Sequence, residues 1–552
     1  MNLLERFVNR TDFTNYDDLK KNYRVTVPEN FNFGRDIVDE YAALCPEKTA
    51  LVWCDDRGEE KIISFKDVSE NSNRIANALY DAGIRKGDSV LVMLMSRFEY
   101  WYTVVALHKL GAIAIPATAQ LTYKDIIYRC NYASVKAIIS VTAKGVSGYI
   151  KSALPQCPTV KLVLTIGEKT DFSKDFGLFY ENARADGLNF KIDNRADDAM
   201  LSYFTSGTTG MPKMVTHNYA YPLAHALTAF GWHRCKDDGL HFTAADTGWA
   251  KASWGKIYGE WIAGCAVFAY DYYGRYTPLD LLPLLQKYKV TSLCAPPTMY
   301  RFLIKEDLSK FDLSAIEHYC TAGEALNPEV YKRIMDKLNR PVFEGYGQTE
   351  TVLCLGTFPD MEPRPGSMGK PSPLYEVVLL DDEGKVIDDE REGEICIKYR
   401  EGQIGLLIGY YTADGNIRSV WKDGYYHTGD VAHRDADGYY WFVGRDDDII
   451  KSSGYRIGPF EVESALMEHP AVMECAITAA DDDVRGQVIK ATIVLAKNYF
   501  PSEELKKELQ DHVKHTTAPY KYPRIVEFVT KLPKTISDKI RRVEIRQNDS
   551  KQ

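Results

Sequence analysis

The sequence predicts an α/β protein: a large N-terminal domain of parallel α/β sheets plus a small antiparallel barrel, followed by a small α+β C-terminal domain. Three observations predict it. From Ala50 to Cys320, short apolar runs alternate with amphipathic stretches, the rhythm of a parallel sheet crossed by helices. From Val377 to Tyr399 the pattern changes to short strands punctuated by Asp382-Glu383-Gly384 and Arg391-Glu392-Gly393 turns. Beyond Arg445-Asp446-Asp447-Asp448 a compact helix–strand–strand–helix–strand unit follows. The expected division is 1–446 and 447–552.

Residues 1–33, rich in Asn, Lys and Asp, read as a lead-in arm. Ala50–Trp53 and Ile62–Phe65 flank the turn Asp55-Asp56-Arg57-Gly58 as a hairpin. Asp67 to Ala82 places Val68, Ile75 and Leu79 on one helical face and stops at Gly83. Strands are expected at Ser89–Leu94, Ile113–Pro116, Ala137–Val141 and Lys161–Thr165, with helices over Phe98–Leu110 and Tyr123–Cys130. Met200–Phe204 reads as a short buried strand and His217–Phe230 as a helix. Strands at Ala266–Ala269, Ser292–Cys294 and His318–Cys320 continue the rhythm. In the C-terminal unit, Pro459–Glu468 is a helix with proline at its first position. Strands Met473–Thr478 and Val488–Leu495, helix Ser502–Lys514 and strand Ile525–Phe528 complete it.

Composition excludes several classes. A chain of 552 residues is too long for one core. Its net charge of -9 argues against a general nucleic-acid binder. Eleven dispersed cysteines without a C-x-x-C pair read as reduced core thiols, not as a disulfide frame or zinc site. No apolar run is long enough to span a bilayer, and acidic Asp12, Asp17 and Asp18 disfavour a transit peptide, so a cytoplasmic location is expected.

The chemistry concentrates in a few stretches. Thr205-Ser206-Gly207-Thr208-Thr209-Gly210-Met211-Pro212-Lys213 sets hydroxyls and glycines beside a cation. Backbone N–H groups of such a loop can converge on phosphate, although a flexible surface turn would have a similar glycine content. Met211 and Pro212 separate Gly210 from Lys213, which breaks the P-loop spacing. Glu344-Gly345-Tyr346-Gly347-Gln348-Thr349-Glu350 offers an aromatic able to stack on a purine and, in Glu350, a hard oxygen ligand suited to Mg²⁺; a strand end with a solvated Glu is the plainer alternative. In Tyr426-His427-Thr428-Gly429-Asp430 an acceptor-only carboxylate suits a ribose diol, or simply closes a turn.

Taken in order, these stretches resemble the adenylate-forming superfamily of acyl-CoA synthetases, amino-acid adenylation domains and luciferases, and most of all the medium-chain acyl-CoA synthetases. The resemblance extends over nearly the whole chain. It implies that Thr205, Ser206, Gly207, Thr208, Thr209 and Lys213 bind the ATP phosphates, and that Gly323 and Glu324 of Thr321-Ala322-Gly323-Glu324-Ala325-Leu326 border adenine. Tyr346 would pack on adenine beside Gly347, Thr349 touch phosphate and Glu350 hold the metal, while Asp430 takes the ribose and Arg445 and Arg456 contact the nucleotide. It further implies a mobile C-terminal domain turning about Asp447, a CoA passage beside Gly454, and catalysis by Lys539 in Pro533-Lys534-Thr535-Ile536-Ser537-Asp538-Lys539. Asp538 stands where the family usually has glycine.

Within Asp246-Thr247-Gly248-Trp249, the resemblance puts Trp249 in the acyl site; core packing is the alternative. Acetate-activating relatives carry Trp where this chain has Gly347, so Gly347 is expected to leave room for a longer, branched or aryl acid. The implied reaction joins that acid to coenzyme A, using ATP and Mg²⁺, through an acyl-adenylate. The expected partners are small molecules only, with no nucleic acid or membrane span, in a monomer or homodimer. Adenylation for a carrier protein, or nucleotide binding with impaired catalysis, are the competing readings.

Overall fold

The computed structural model describes residues 2–205, 211–273, 277–358, 360–452, 455–482, 485–534 and 540–549. Among them the strands form three sheets. In the largest, Leu240–Thr243, Ala266–Asp271, Thr49–Asp55, Ser292–Cys294, His318–Thr321 and Val342–Tyr346 run parallel. The antiparallel strands Leu355–Gly356, Ser367–Pro371, Tyr440–Arg445, Tyr425–Arg434, Gly393–Lys398 and Val377–Leu380 extend it beyond Val342–Tyr346. The second sheet has parallel Ser89–Met93 between Ile113–Pro116 and Ala137–Val141. Ser89–Met93 is buried along its whole length, as expected of a parallel strand covered on both faces.

The helix runs over Phe65–Asp81, starting two residues before the expected Asp67, because its cap is Ser64. Ser64 accepts from the Asp67 N–H, and Asp67 returns the bond to the Ser64 N–H, a reciprocal cap that satisfies two orphan donors.

One expectation fails. The stretch after the phosphate loop does not turn helical at His217; Lys213–Asn218 is a strand, and the helix starts at Tyr221. The strand pairs on one side with Ala199–Thr205 and on the other with Gly409–Tyr411. A strand bonded along both edges, with Met214, Val215, Thr216 and His217 all buried, shows no alternation that would mark it in the sequence.

The third sheet holds Ile450–Ser452, Tyr455–Ile457, Val472–Asp482, Gly486–Leu495 and Ile525–Phe528, around a separate core that includes Ile457, Leu466, Ile477 and Ile493. A single turn of 3-10 helix, Asp446–Asp448, joins it to the strand Tyr440–Arg445. Asp448 is clasped by the last helix, Arg542–Asp549, through Arg546 at 2.6 Å and Arg542 at 3.6 Å. No helix is long and apolar enough to cross a membrane among the described residues. All eleven cysteines are free, and all but Cys45 are buried.

Candidate active site

Ala199–Thr205 and Lys213–Asn218 pair antiparallel inside the second sheet, which sets Thr205 opposite Lys213. Ser206, Gly207, Thr208 and Thr209 lie outside the described residues, as do Gly454, Asp538 and Lys539. Lys213 reaches over the ring of Tyr410, 5.1 Å from its centre, and the Tyr410 hydroxyl donates to Glu350 Oε1 at 3.1 Å. Burial pushes the half-buried Glu350 carboxyl upward, and Tyr410 and the Lys213 charge oppose that shift. Tyr410 therefore links the hairpin cation to the carboxylate expected to hold the metal. Nothing in the sequence of Gly409-Tyr410-Tyr411 predicts that link.

The segment carrying Glu350 is pinned from both sides. The His217 Nε2 lies 2.8 Å from the Thr349 carbonyl oxygen, and the Leu407 N–H donates to the Glu350 carbonyl at 2.7 Å. His217 itself is stacked on Tyr221, ring centres 3.9 Å apart. Thr349 and Glu350 are thus set by the strand Lys213–Asn218 and by the segment that precedes the strand Gly409–Tyr411.

Asp430 sits in a bulge. Glu394 pairs with Val431 and Cys396 with His427, so Thr428, Gly429 and Asp430 together oppose Ile395. Gly429 has φ +70, which favours glycine, and an added Cβ would lie 2.8 Å from Arg445 Nη2, so a side chain there would displace the guanidinium. The Ile395 carbonyl accepts from the Thr428 hydroxyl at 2.7 Å, and Glu394 Oε1 accepts from the Gly429 N–H at 2.8 Å. The carboxylate of Asp430 then receives the Tyr346 hydroxyl at 2.6 Å, Gln348 Nε2 at 2.6 Å and Arg445 Nη1 at 3.2 Å. Gln348 is oriented by the Tyr426 hydroxyl, which donates to its Oε1 at 2.8 Å. Tyr346 is thus tied by its hydroxyl to Asp430, and a diol docking on that carboxylate must replace some of these donors.

Other predicted residues lie apart from this network. Gly323 and Glu324 are exposed, and Glu324 pairs with Arg301 at 3.2 Å. Glu344, one strand residue from Gly345, holds that turn from behind, accepting the Leu326 and Gly366 N–H groups at 3.1 and 2.8 Å. Arg456 binds Asp382 at 2.8 Å and Asp446 at 3.4 Å, not the Asp430 network. Asp447 lies in the 3-10 turn, 3.7 Å from Arg445 Nε.

The acyl-pocket expectation needs correction. An added Cβ at Gly347 would lie 2.3 Å from the Trp254 ring, so the room expected there for the acid is filled by that indole. Gly345 is backed in the same way by Trp232, at 2.6 Å. Two glycines two residues apart share one strand face, and an indole fills each gap. Between the two indoles lies the Lys251 ammonium, 4.9 Å from both rings, with no oxygen partner among the described residues. Trp249 is half-exposed; the buried tryptophan of this segment is Trp254, on the 3-10 helix Ala250–Trp254. Asp246 caps the Gly248 N–H at 2.8 Å, as a turn residue.

Behind this layer His233 Nδ1 meets Glu260 Oε1 at 3.1 Å, both side chains fully buried. Burial raises the Glu260 carboxyl to about 8 and holds His233 well below the usual imidazole range, so the pair is neutral around pH 7. Glu260 binds its proton more tightly folded than unfolded. Its contribution to stability is therefore full below its ordinary value of 4.5 and is lost as pH rises towards about 8. The melting temperature is expected to fall between pH 6 and pH 8, and Glu260→Gln to flatten that slope; an equal slope in the variant would contradict the assignment.

Comparison with known proteins identifies the family. Residues 38–411 match the AMP-binding enzyme family and residues 461–539 the AMP-binding enzyme C-terminal domain. The acyl-coenzyme A synthetase ACSM3, mitochondrial, of Mus musculus is 40% identical over 98% of this chain and 94% of its own. The 4-hydroxybutyrate–CoA ligase 1 of Metallosphaera sedula is 42% identical over 94% and 91%. Among solved structures, the anthranilate CoA ligase AuaEII in complex with anthranoyl-AMP superposes with a TM-score of 0.86 at 29% identity, covering 95% of this chain and 98% of that one. The chain belongs to the AMP-binding enzyme family and is an AMP-forming acyl-CoA ligase.

Proposed function

We propose that the acid this ligase activates is a medium-chain, branched or aryl carboxylic acid, and that the residues brought together around Glu350 and Asp430 bind its nucleotide. The observation that carries the reading is the convergence of Lys213, Tyr410, Glu350 and the Asp430 network on the end of the strand Val342–Tyr346. Ligands of α/β sheets gather at such strand ends. The 4-hydroxybutyrate and anthranilate ligases among its relatives, each named for an acid larger than acetate, support this reading.

Glu350 fits a magnesium ion. It is one half-buried carboxylate with oxygen lone pairs beyond the Tyr410 bond, and Mg²⁺ is commonly held by one or two carboxylates plus substrate phosphates. When bound, magnesium would neutralise phosphate charge. The chain's own residues do the rest. The loop after Thr205, with Lys213, holds the phosphates, while Asp430 exchanges donors for the ribose hydroxyls and Arg445 steadies it. The acid's carboxylate oxygen bonds to the α-phosphorus and the bond to pyrophosphate breaks, with Lys539 offsetting the charge that develops. The C-terminal unit then turns about Asp447, withdrawing Lys539 and opening the passage beside Gly454. The CoA thiol gives up its proton, its sulfur bonds to the acyl carbon, and AMP leaves with the other electron pair. Closure around the site excludes water from the mixed anhydride.

The test is AMP and pyrophosphate release from Mg-ATP, with and without CoA, across acetate to decanoate, isobutyrate, 2-methylbutyrate and benzoate. CoA-dependent AMP with a maximum beyond propionate is expected. A maximum at acetate would overturn the substrate class, and pyrophosphate without thioester would redirect the reading to a carrier-protein acceptor.

A further inference from the structure

We propose that Glu394, Cys396 and His427 form a binding site for a zinc-like divalent transition metal whose occupancy weakens nucleotide binding. Cys396 and His427 face each other across the strands Gly393–Lys398 and Tyr425–Arg434, and Glu394 lies two residues before Cys396, on the same face. One ligand atom from each lies within 4.8 Å of the other two. Cys396 Sγ is 3.5 Å from His427 Nδ1, and a tetrahedral zinc-like ion places its sulfur and nitrogen ligands roughly that far apart. Glu394 Oε2 is 2.7 Å from the same nitrogen. Thiolate, imidazole and carboxylate together suit a borderline-soft ion and not magnesium.

Access is provided by partial exposure. The His427 and Glu394 side chains are 30% and 27% exposed, over a buried thiol. The other grouping of this kind among the described residues, His233, Cys235 and His241, is sealed in the core. There both His241 nitrogens are engaged, by Ser292 at 2.6 Å and Thr243 at 2.8 Å, and His233 Nδ1 faces Glu260.

Binding would proceed with defined proton movements. The metal replaces the Cys396 thiol proton, which leaves to solvent, and the S–metal bond forms. Nδ1 must present its lone pair, so the imidazole proton resides on Nε2 and the Nδ1–Glu394 hydrogen bond is given up. Glu394 turns Oε2 to the metal. Its other oxygen is the one that holds the Gly429 N–H in the bulge presenting Asp430, so the metal pulls on the support of that bulge. The link to nucleotide rests on the proposed role of Asp430; metal binding itself does not.

The test begins with Co²⁺ titrated into the nucleotide-free, full-length protein. One equivalent is expected to develop a thiolate-to-cobalt charge-transfer band in the near ultraviolet, absent from Cys396→Ser and from His427→Gln. Protein loaded with one equivalent of Zn²⁺ and desalted is then expected to bind Mg-ATP about fivefold or more weakly than the metal-free protein, with no such difference in Cys396→Ser. Absence of the band, or its persistence in both variants, would overturn the site. A normal band with unchanged Mg-ATP affinity would overturn the coupling to Asp430 alone. Circular dichroism of both variants shows whether loss of the band reflects loss of fold.

Discussion

Glu350→Gln is expected to lower the rate of pyrophosphate release by about 10²–10³, because the substitution keeps the shape of the side chain and removes the charge proposed to hold a metal against the phosphates. The Tyr410 hydroxyl can still donate to the amide oxygen, so the segment should keep its place. Stability should not suffer, since burial already disfavours the ionised carboxylate. The second half-reaction, started from synthetic acyl-adenylate and CoA, should run at close to its normal rate. That split distinguishes a metal ligand from a residue that merely shapes the site, which would slow both halves. Tyr410→Phe gives the graded companion. Losing a hydrogen bond to a charged group costs about 1.5–3 kcal/mol, so the first half-reaction should slow by about tenfold to a hundredfold and demand more magnesium. Equal rates for wild type and Glu350→Gln in pyrophosphate release would remove Glu350 from the metal site.

The second large effect concerns Trp254. Truncating a fully packed aromatic to alanine costs about 3–5 kcal/mol, and Trp254→Ala should lower stability by that order. It also vacates the face of Gly347 and uncovers one side of Lys251, so the preferred acid should lengthen or broaden, read as kcat/KM along an acid series. Gly347→Ala works in the opposite direction. Its methyl would meet the Trp254 ring at 2.3 Å, and forcing such contacts costs about 1–3 kcal/mol and narrows the site. If Trp254→Ala leaves the acid profile unchanged, the indole belongs to the core and not to the pocket wall.

These two residues also mark where sequence reasoning reached and where it stopped. Local chemistry was legible. Pro459 at the first helical position locates the helix Pro459–Glu468 to the residue, and the alternating runs locate most parallel strands of both large sheets, but not Leu240–Thr243 or Val342–Tyr346. Glu350 and Asp430 stood out because a hard oxygen ligand and an acceptor-only carboxylate are chemically suited to their proposed tasks. What could not be read was which distant side chains complete them. Tyr410 reaches Glu350 across 60 residues of chain, and Trp254 fills the gap at Gly347 from a segment in which Trp249 carried the expectation. The same limit explains the strand Lys213–Asn218. Its identity is conferred by partners on both edges, one of them nearly two hundred residues away, and not by its own periodicity.

The turn Asp446–Asp448 has a mechanical consequence. Arg445 is moored to the Asp430 network on one side, and Asp448 is riveted to the terminal helix on the other. Only Asp446 and Asp447 are left between the two moorings, so a change of orientation has four soft torsions in which to occur. A pivot that short permits swivelling but almost no sliding. If the C-terminal unit turns about Asp447 as proposed, its positions lie along a narrow arc, like the stops of a door on a single pin. Lengthening the pin by one glycine should blur those stops and decouple the two halves of the reaction.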